Sequence, residues 1–281
     1  MAHECVRPKA PKAAKIVLWA VLILLYLPIA VMLLSSVFSV HGGHVQATLN
    51  WFIEVLSDSN LMSALGNSLL VGISSSVLAT VFGTAAAIAL HRGSSKLKTV
   101  MDSLSMVSLI FPEIVFALSL LAWFFILQLD LGLQTVVIAH VSFSLSYVIM
   151  TVNSRLVTLD PALEDAARDL GAGEWTVLRT IIVPLLAPAI LGGFILSFLL
   201  SFDDFLITYF VNGVGQDTLP VKLYTAMKMG VSPKLNALSS LMFLMTLSVL
   251  IFLFRSSAFR VLFEGSTEGR DLDGRQEKEN L

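Results

Sequence analysis

A charged segment interrupts an apolar chain at Glu164-Asp165-Ala166-Ala167-Arg168-Asp169-Leu170-Gly171, and it continues to Ile181-Ile182-Val183-Pro184. Long uncharged runs lie on both sides of it, so we interpret it as a loop that leaves a membrane and contacts a partner. Asp160-Pro161 predicts a helix start, because an aspartate accepts free backbone N–H groups and proline suits the first helical position. Gly171 predicts the end of this helix.

The predicted short helix is amphipathic. Its apolar face follows the spacing i, i+3, i+4, i+7 and consists of Leu163, Ala166, Ala167 and Leu170. The opposite face consists of Glu164, Asp165, Arg168 and Asp169. A second helical piece, Trp175–Ile182, is predicted to end at Val183-Pro184. Acidic residues outnumber basic ones five to one in 160–174, which anionic lipid headgroups repel. We therefore favour docking into a groove on a partner over a position on the lipid surface.

The composition indicates a membrane protein. Of the 281 residues, 56% are hydrophobic and 14% are charged, whereas a soluble domain carries about 25% charged residues. The mean hydropathy is +0.83. Six apolar runs approach or exceed the roughly 20 residues that cross a bilayer as a helix; they cover 16–38, 64–90, 103–127, 133–152, 185–211 and 237–254. The first run is too long for a secretory signal core and lacks a cleavage site, so it is predicted to be retained.

Lysine and arginine indicate the orientation. Fifteen of the eighteen lie before the first run, after the second and fourth runs, or after the sixth. We predict an all-α polytopic membrane protein with six transmembrane helices and both termini in the cytoplasm. Its predicted parts are a cytoplasmic arm (1–15), a membrane domain (16–255) that contains the cytoplasmic loop 153–184, and a cytoplasmic tail (256–281). The tail is predicted to be disordered because it mixes charges and glycines and cannot bury a core.

Two patterns concern packing and the outer face. Small residues recur at helical spacing in the second run and predict close helix packing; they are Gly72, Ser76, Ala79, Gly83 and Ala87. The outer segment 212–236 contains glycines and a proline, which predict a turn followed by a short helix. Cys5 is the single cysteine, so neither an internal disulfide nor a cysteine-ligated metal site is expected.

Three carboxylates, Glu113, Asp203 and Asp204, fall inside apolar runs. Charges in a membrane are costly, so each is a functional-site hypothesis. Every lysine and arginine lies in a loop or tail, which leaves His140 as the candidate cationic partner within this chain. Unpaired acids at depth suit a path that passes a cation.

Polar residues recur at helical spacing in two runs, and we predict that these faces line one water-filled route. The fifth run contributes Ser197, Ser201, Asp204 and Thr208, and the fourth contributes His140, Ser144, Tyr147 and Thr151. Asp203 is predicted to point about 100° away from Asp204, and the helix is predicted to kink at Pro112 before Glu113. The candidate path residues are Asp204, Asp203, Glu113, His140, Ser201 and Tyr147. For Asp204, a hydrogen-bonding role in helix packing stays open as the alternative.

The loop resembles the EAA loop of ABC importer permeases, the MetI-like type I family. The chain matches every interval of the family pattern E-A-A-x3-G-x9-I-x-L-P, with Asp165 in place of glutamate and Val183 in place of leucine. In this family the loop carries a coupling helix that docks into a cleft of the cytoplasmic ATPase. The resemblance implies a coupling surface that consists of Glu164, Asp165, Ala166, Ala167, Leu170, Gly171, Ile181 and Pro184.

Shorter motifs resemble the PotC-type permeases of spermidine/putrescine importers; they lie at 111–115, 140–143, 200–204, 229–233 and 236–238. This resemblance implies a subunit in the bacterial cytoplasmic (inner) membrane that moves a small cation such as spermidine or putrescine. It also implies three partners: an ABC ATPase dimer, a second homologous permease and a periplasmic or extracellular solute-binding protein. The chain has no phosphate-binding loop, so ATP would be bound by another polypeptide.

Two alternatives remain at this point. A permease of the same class for another solute, such as a metal ion or an organic anion, is one; the absence of intramembrane lysine and arginine counts against anions. The other is a secondary transporter or channel that uses the acids and His140 as a relay, which leaves the charged loop without a purpose. No nucleophile–base pair or metal-ligand cluster points to an enzyme, and we expect no cofactor and no nucleic acid.

Overall fold

Helices form most of the computed structural model, which describes residues 12–41, 44–93, 103, 110–230 and 232–255. The helices are α1 Lys12–Val37, α2 Asn50–Ser57, α3 Ser59–Arg92, α4 Glu113–Ile126, α5 Leu133–Leu156, α6 Ala162–Asp169, α7 Glu174–Val177, α8 Val183–Asp203, α9 Leu206–Val211, α10 Leu219–Lys228 and α11 Pro233–Arg255. An antiparallel hairpin, β1 Phe38–His41 and β2 His44–Ala47, lies between α1 and α2.

Five helical segments in the described part are long and apolar enough to cross a membrane. They cover 14–37, 59–92, 133–156, 174–203 and 233–252. α4 is shorter, and much of the predicted third span before it lies outside the described residues. The polytopic helical prediction is confirmed, whereas the count of six and the cytoplasmic termini stay predictions. The tail 256–281 and most of the arm also lie outside the described residues.

The predicted fifth span, 185–211, is wrong as a single helix. α8 ends at Asp203, the backbone of Asp204 is extended with φ −68° and ψ 126°, and α9 begins at Leu206. Both sides of this break are apolar, so hydropathy runs through it unchanged. The helical spacing assumed from Ser201 to Thr208 therefore does not hold.

The second piece of the charged loop also differs from its prediction, because it does not end at Val183-Pro184. α7 continues through a π-helical turn, Leu178–Ile182, directly into α8. Proline lacks the N–H of the regular ladder, and the wider turn just before it lets the helix continue.

The described residues form two compact units, one of residues up to 58 with 226–244 and one of 59–225 with the residues from 245 onward. In the second unit α3, α5 and α8 pack closely. The predicted small stripe of α3 is buried, and a Cβ at Gly83 would lie 2.8 Å from the Cβ of Val148. These three helices hold the site described next.

The first unit contains the β1–β2 hairpin, which the sequence analysis missed. Its local signal was Gly42-Gly43 between Val40-His41 and His44-Val45, since paired glycines between β-branched residues favour a hairpin. In the same unit Lys234 Nζ lies 2.8 Å from Asp58 Oδ2, which ties the start of α11 to the residue after α2.

Candidate translocation site and coupling surface

A cavity of about 580 Å³ lies beside the break between α8 and α9. Its carboxylates are Glu113, Asp203 and Asp204, and its aromatic side chains are Phe111, Phe116, Phe143, Tyr147 and Phe205. Among the described residues that line it, none is a lysine or arginine. Carboxylates attract cations directly, and aromatic faces add attraction through their quadrupole. The lining is therefore suited to a cation.

Asp203 and Asp204 have different environments. Asp203 is the last residue of α8 and is exposed. Asp204 has a side chain only 8% exposed, and its Oδ2 accepts hydrogen bonds from the backbone N–H and the hydroxyl of Thr208, both at 2.8 Å. Its Oδ1 accepts from the N–H of Ile207 at 3.3 Å. Asp204 thus caps the N-terminus of α9, which supports the packing alternative for this residue.

His140 of α5 bridges the two sides of the break and is fully buried. Its Nδ1 lies 2.6 Å from Ser201 Oγ on α8, and its Nε2 lies 3.2 Å from Asp204 Oδ2 and 3.0 Å from Thr208 Oγ1. Ser201 Oγ lies 3.0 Å from Ser75 Oγ on α3. With Asp204 ionised, its carboxylate only accepts hydrogen bonds, so Nε2 would be the donor towards it. His140, which the sequence left as the candidate partner of the intramembrane acids, contacts one of them, Asp204.

The shared route of the two polar stripes stays a prediction, because this cavity is lined by few of their members. Among their members only Tyr147 and Asp204 line the cavity. The hydroxyls of Ser144 and Ser197 are buried and make no hydrogen bond within the described part of the chain. Thr151 donates to the carbonyl of Tyr147 on its own helix at 2.8 Å. Most of these side chains therefore lie between helices.

Glu113 lines the same cavity from α4, where it is the first helical residue. Pro112 directly precedes this helix, and residues 104–109 lie outside the described part of the chain, so the kink stays a prediction. Glu113 is exposed, and a carboxylate in the first turn is favoured by the positive end of the helix dipole. The cavity thus contains two exposed acids, Glu113 and Asp203, from different helices.

The predicted coupling helix is present as α6. The carboxylate of Asp160 accepts the N–H of Ala162 at 2.9 Å, and Gly171 has a left-handed φ of +84°, so both predicted helix ends are confirmed. No residue of α6 is buried. Next to α6, Leu170 is 90% exposed and Trp175 is 72% exposed. Apolar side chains this open to solvent are expected to be covered by another protein.

The apolar face of α6 is divided between two surroundings. Ala167 is half-buried and packs against a core cluster that includes Val177, Ile182 and Leu186, whereas Ala166 is exposed. Ile181 lines a cavity of about 60 Å³ together with Asp160 and Leu163. Pro184 is exposed in the first turn of α8. Ala167 and Ile181 therefore lie on the side of α6 that faces its own chain, and Ala166 belongs to the outer surface of α6.

Two arginines and two glutamates form a closed ring of ion pairs around α6. Arg92 contacts Glu164 and Glu174, each at 3.0 Å. Arg168 contacts Glu164 at 2.9 Å and Glu174 at 2.8 Å, and it also contacts Asp165 at 3.0 Å. The hydrogen bond to Glu174 raises the pKa of Arg168 above its usual value. Sequence reasoning missed Arg92 as a site residue, and its only signal was a basic residue at the end of an apolar run.

The chain resembles known transport proteins. Residues 79–268 match the family model described as "Binding-protein-dependent transport system inner membrane component". The chain is 38% identical over 229 residues to the spermidine/putrescine transport system permease protein PotC of Escherichia coli K12, which covers 81% of this chain and 87% of that protein. It is 36% identical over 242 residues to the putrescine transport system permease protein PotI of the same strain, which covers 79% of this chain and 85% of PotI.

A solved structure supports the fold at lower identity. The structure of a bacterial ABC transporter involved in the import of the acidic polysaccharide alginate superposes with a TM-score of 0.66 at 15% identity, covering 86% of this chain and 92% of that chain. At this identity the likeness establishes the helical fold and says nothing about the solute.

Proposed function

This chain belongs to the family of binding-protein-dependent transport system inner membrane components, and from that premise we propose that it moves a polyamine such as spermidine or putrescine. Family membership makes it a multi-pass permease subunit of an ABC importer in the inner membrane. The relatives named for spermidine and putrescine align with it over most of their own length. The solute itself is the proposed part.

The cavity of about 580 Å³ carries the proposal. Glu113 and Asp203 contribute exposed carboxylates, and the surrounding aromatic rings offer further attraction to ammonium groups. A multiply charged amine loses hydration in such a site, and carboxylates at close range offset that cost. Asp204 also lines the cavity, and together with His140 it holds the break that brings Asp203 there.

The proposed partners are an ATPase dimer, a second homologous permease and a solute-binding protein. α6 is the proposed contact with the ATPase, with Ala166, Leu170 and Trp175 as its exposed apolar centre. Closure of the ATPases on ATP would then move α6 and switch the path between inward-facing and outward-facing states. The permease itself takes no part in ATP hydrolysis.

The ATPase contact is tested at Ala166. We expect Ala166→Arg to remove the ATPase from the complex in a pull-down from detergent-solubilised membranes, because a large charged side chain would occupy an exposed apolar contact. Ala166→Ser is the matched control, since it keeps the side chain small and should retain the ATPase. Ala167→Arg is a poor choice, because Ala167 packs against the core of its own chain. Retention of the ATPase by Ala166→Arg would show that another face of the loop docks.

A permease for an anion and an autonomous secondary transporter are the competing functions. The acid lining of the cavity argues against an anion, and family membership favours an ATP-driven importer over a secondary transporter. Uptake by this chain alone in liposomes under a proton gradient would support the secondary transporter. Uptake that requires ATP, the ATPase and the binding protein would support the importer.

A further inference from the structure

The ring of ion pairs joins α6 to the end of a long helix. Arg92 is the last residue of α3, and Glu164 and Glu174 belong to α6 and the start of α7. Each glutamate accepts hydrogen bonds from both Arg92 and Arg168. These charged hydrogen bonds link the position of α6 to the end of α3.

The other half of α3 is also held, about two turns inside its first residue, Ser59. Asn67 Nδ2 donates to the carbonyl of Asp217 at 3.0 Å, and the backbone N–H of Leu219 donates to Ser68 Oγ at 2.8 Å. Asp217 is held in turn by Asn212 at 3.0 Å and by Lys222 at 2.8 Å. These contacts connect α3 to the segment 212–219, which ends at the first residue of α10.

The length and packing of α3 suit it to carry motion between these two ends. It has 34 residues, and the stretch from Asn67 to Arg92 rises about 38 Å at 1.5 Å a residue. Its buried small residues bring it against α5 and α8, where Gly83 contacts Val148 and Gly72 contacts Phe198. A helix held this closely is expected to move as one piece, because packed interiors transmit displacement.

We propose that α3 is a strut that links α6 to the segment 212–219, and that Arg92 is the positioning residue at its α6 end. This inference rests on the proposed function, in which α6 is the contact with the ATPase. Movement of α6 would pull on Arg92, displace α3 along its length and reach residues 212–219 through Asn67 and Ser68. The outer segment would then respond to the state of the ATPase.

Arg92→Gln tests the α6 end, in the complete complex reconstituted in liposomes with its ATPase, second permease and binding protein. The variant removes two ion pairs and leaves those of Arg168, so α6 should still bind the ATPase in a pull-down. We expect the ATP hydrolysed per solute imported to rise about tenfold, which lies within the usual range of coupling between sites. Arg92→Lys keeps the charge but loses the two-pronged contact. Its ratio of ATP hydrolysed to solute imported should therefore lie between those of the wild type and Arg92→Gln. The matched control is Arg155→Gln, a half-buried arginine whose side-chain hydrogen bond reaches only Thr158, three residues along the chain.

Asn67→Ala tests the contact between α3 and the segment 212–219. It should also raise the amount of ATP hydrolysed per solute imported. If one strut connects the two ends, Asn67→Ala with Arg92→Gln should be no worse than the more severe single variant, since two breaks in one link are not additive. Additive effects of the two substitutions would overturn the proposal. A wild-type ratio for Arg92→Gln would also overturn it, as would loss of the ATPase from that variant.

The strut and the proposed function fail in different ways. If the wild-type complex hydrolyses ATP in response to its binding protein but imports no polyamine, the proposed solute is wrong. The strut is then decided by whether Arg92→Gln abolishes that stimulation while Arg155→Gln keeps it. If no ATPase purifies with the wild-type chain, both the ATPase contact and the strut are wrong.

Discussion

At the scale of single residues, neighbouring acids in this protein have separate tasks. Asp203 ends α8 and is exposed beside the cavity, whereas Asp204 is satisfied by His140, Thr208 and the N-terminus of α9. The sequence analysis treated both as candidate path residues on one helix. The break after Asp203 separates them, because an extended residue changes the direction of the side chains that follow it.

Asp203→Ala and Asp204→Ala are therefore expected to affect different properties, uptake in the first case and stability in the second. Asp204→Ala should lower the free energy of unfolding by about 1–3 kcal/mol, because it leaves buried partners unsatisfied. Asp203→Ala should leave the thermal midpoint of the solubilised protein near that of the wild type and should reduce polyamine uptake. Thermal unfolding and uptake, measured on both variants, check this. Equal losses of stability in the two variants would contradict the separate roles assigned to Asp203 and Asp204.

At the scale of elements, small residues decide how closely the helices approach. Gly83 of α3 has no room for a side chain against Val148, whereas a Cβ at Gly66 of the same helix meets nothing within 4 Å. In a membrane, where neighbouring lipid is as apolar as a side chain, close van der Waals packing of this kind holds helices together.

The same substitution at these two glycines provides a matched pair. Gly83→Ala should cost about 1–3 kcal/mol, because the added methyl overpacks a close helix contact. Gly66→Ala should leave the stability unchanged or raise it by up to about 1 kcal/mol, since its methyl group lies in open space and alanine favours a helix more than glycine does. The thermal midpoints of the two variants in detergent measure the difference. A Gly83→Ala variant as stable as Gly66→Ala would mean that α3 and α5 are less closely packed than described.

At the scale of the whole molecule, the fold and the solute are separate questions. The same helical fold occurs in a transporter of an acidic polysaccharide, so the fold alone does not select a cation. Selection is expected to reside in the side chains of the cavity and in the binding protein, in keeping with the general rule that function lies in sites on a shared fold.

The lining of the cavity predicts competition by charge. Uptake of labelled putrescine by the complete complex should be inhibited by spermidine and unaffected by succinate, because carboxylates attract ammonium groups and repel a dicarboxylate. The measurement is initial uptake into liposomes at fixed ATP with each competitor in excess. Equal inhibition by succinate would contradict a cation-selective path.

Local chemistry was enough to predict the membrane class, the start and end of α6, and the close-packed face of α3. Each depends on residues near one another in sequence: a run of apolar side chains, a cap at Asp160, a glycine at 171, small residues at helical spacing. The EAA spacing extended this to the family, because a long motif with fixed spacing is specific.

Only the tertiary structure revealed the break after Asp203, the pairing of His140 with Asp204, and the ring around α6. These features depend on contacts between residues far apart in the chain: 64 positions separate His140 from Asp204, and 82 separate Arg92 from Glu174. Hydropathy is the same on both sides of the break, and an arginine at the end of an apolar run has many possible partners. The packing of α3, α5 and α8 selects among those possibilities, and no local pattern carries that information.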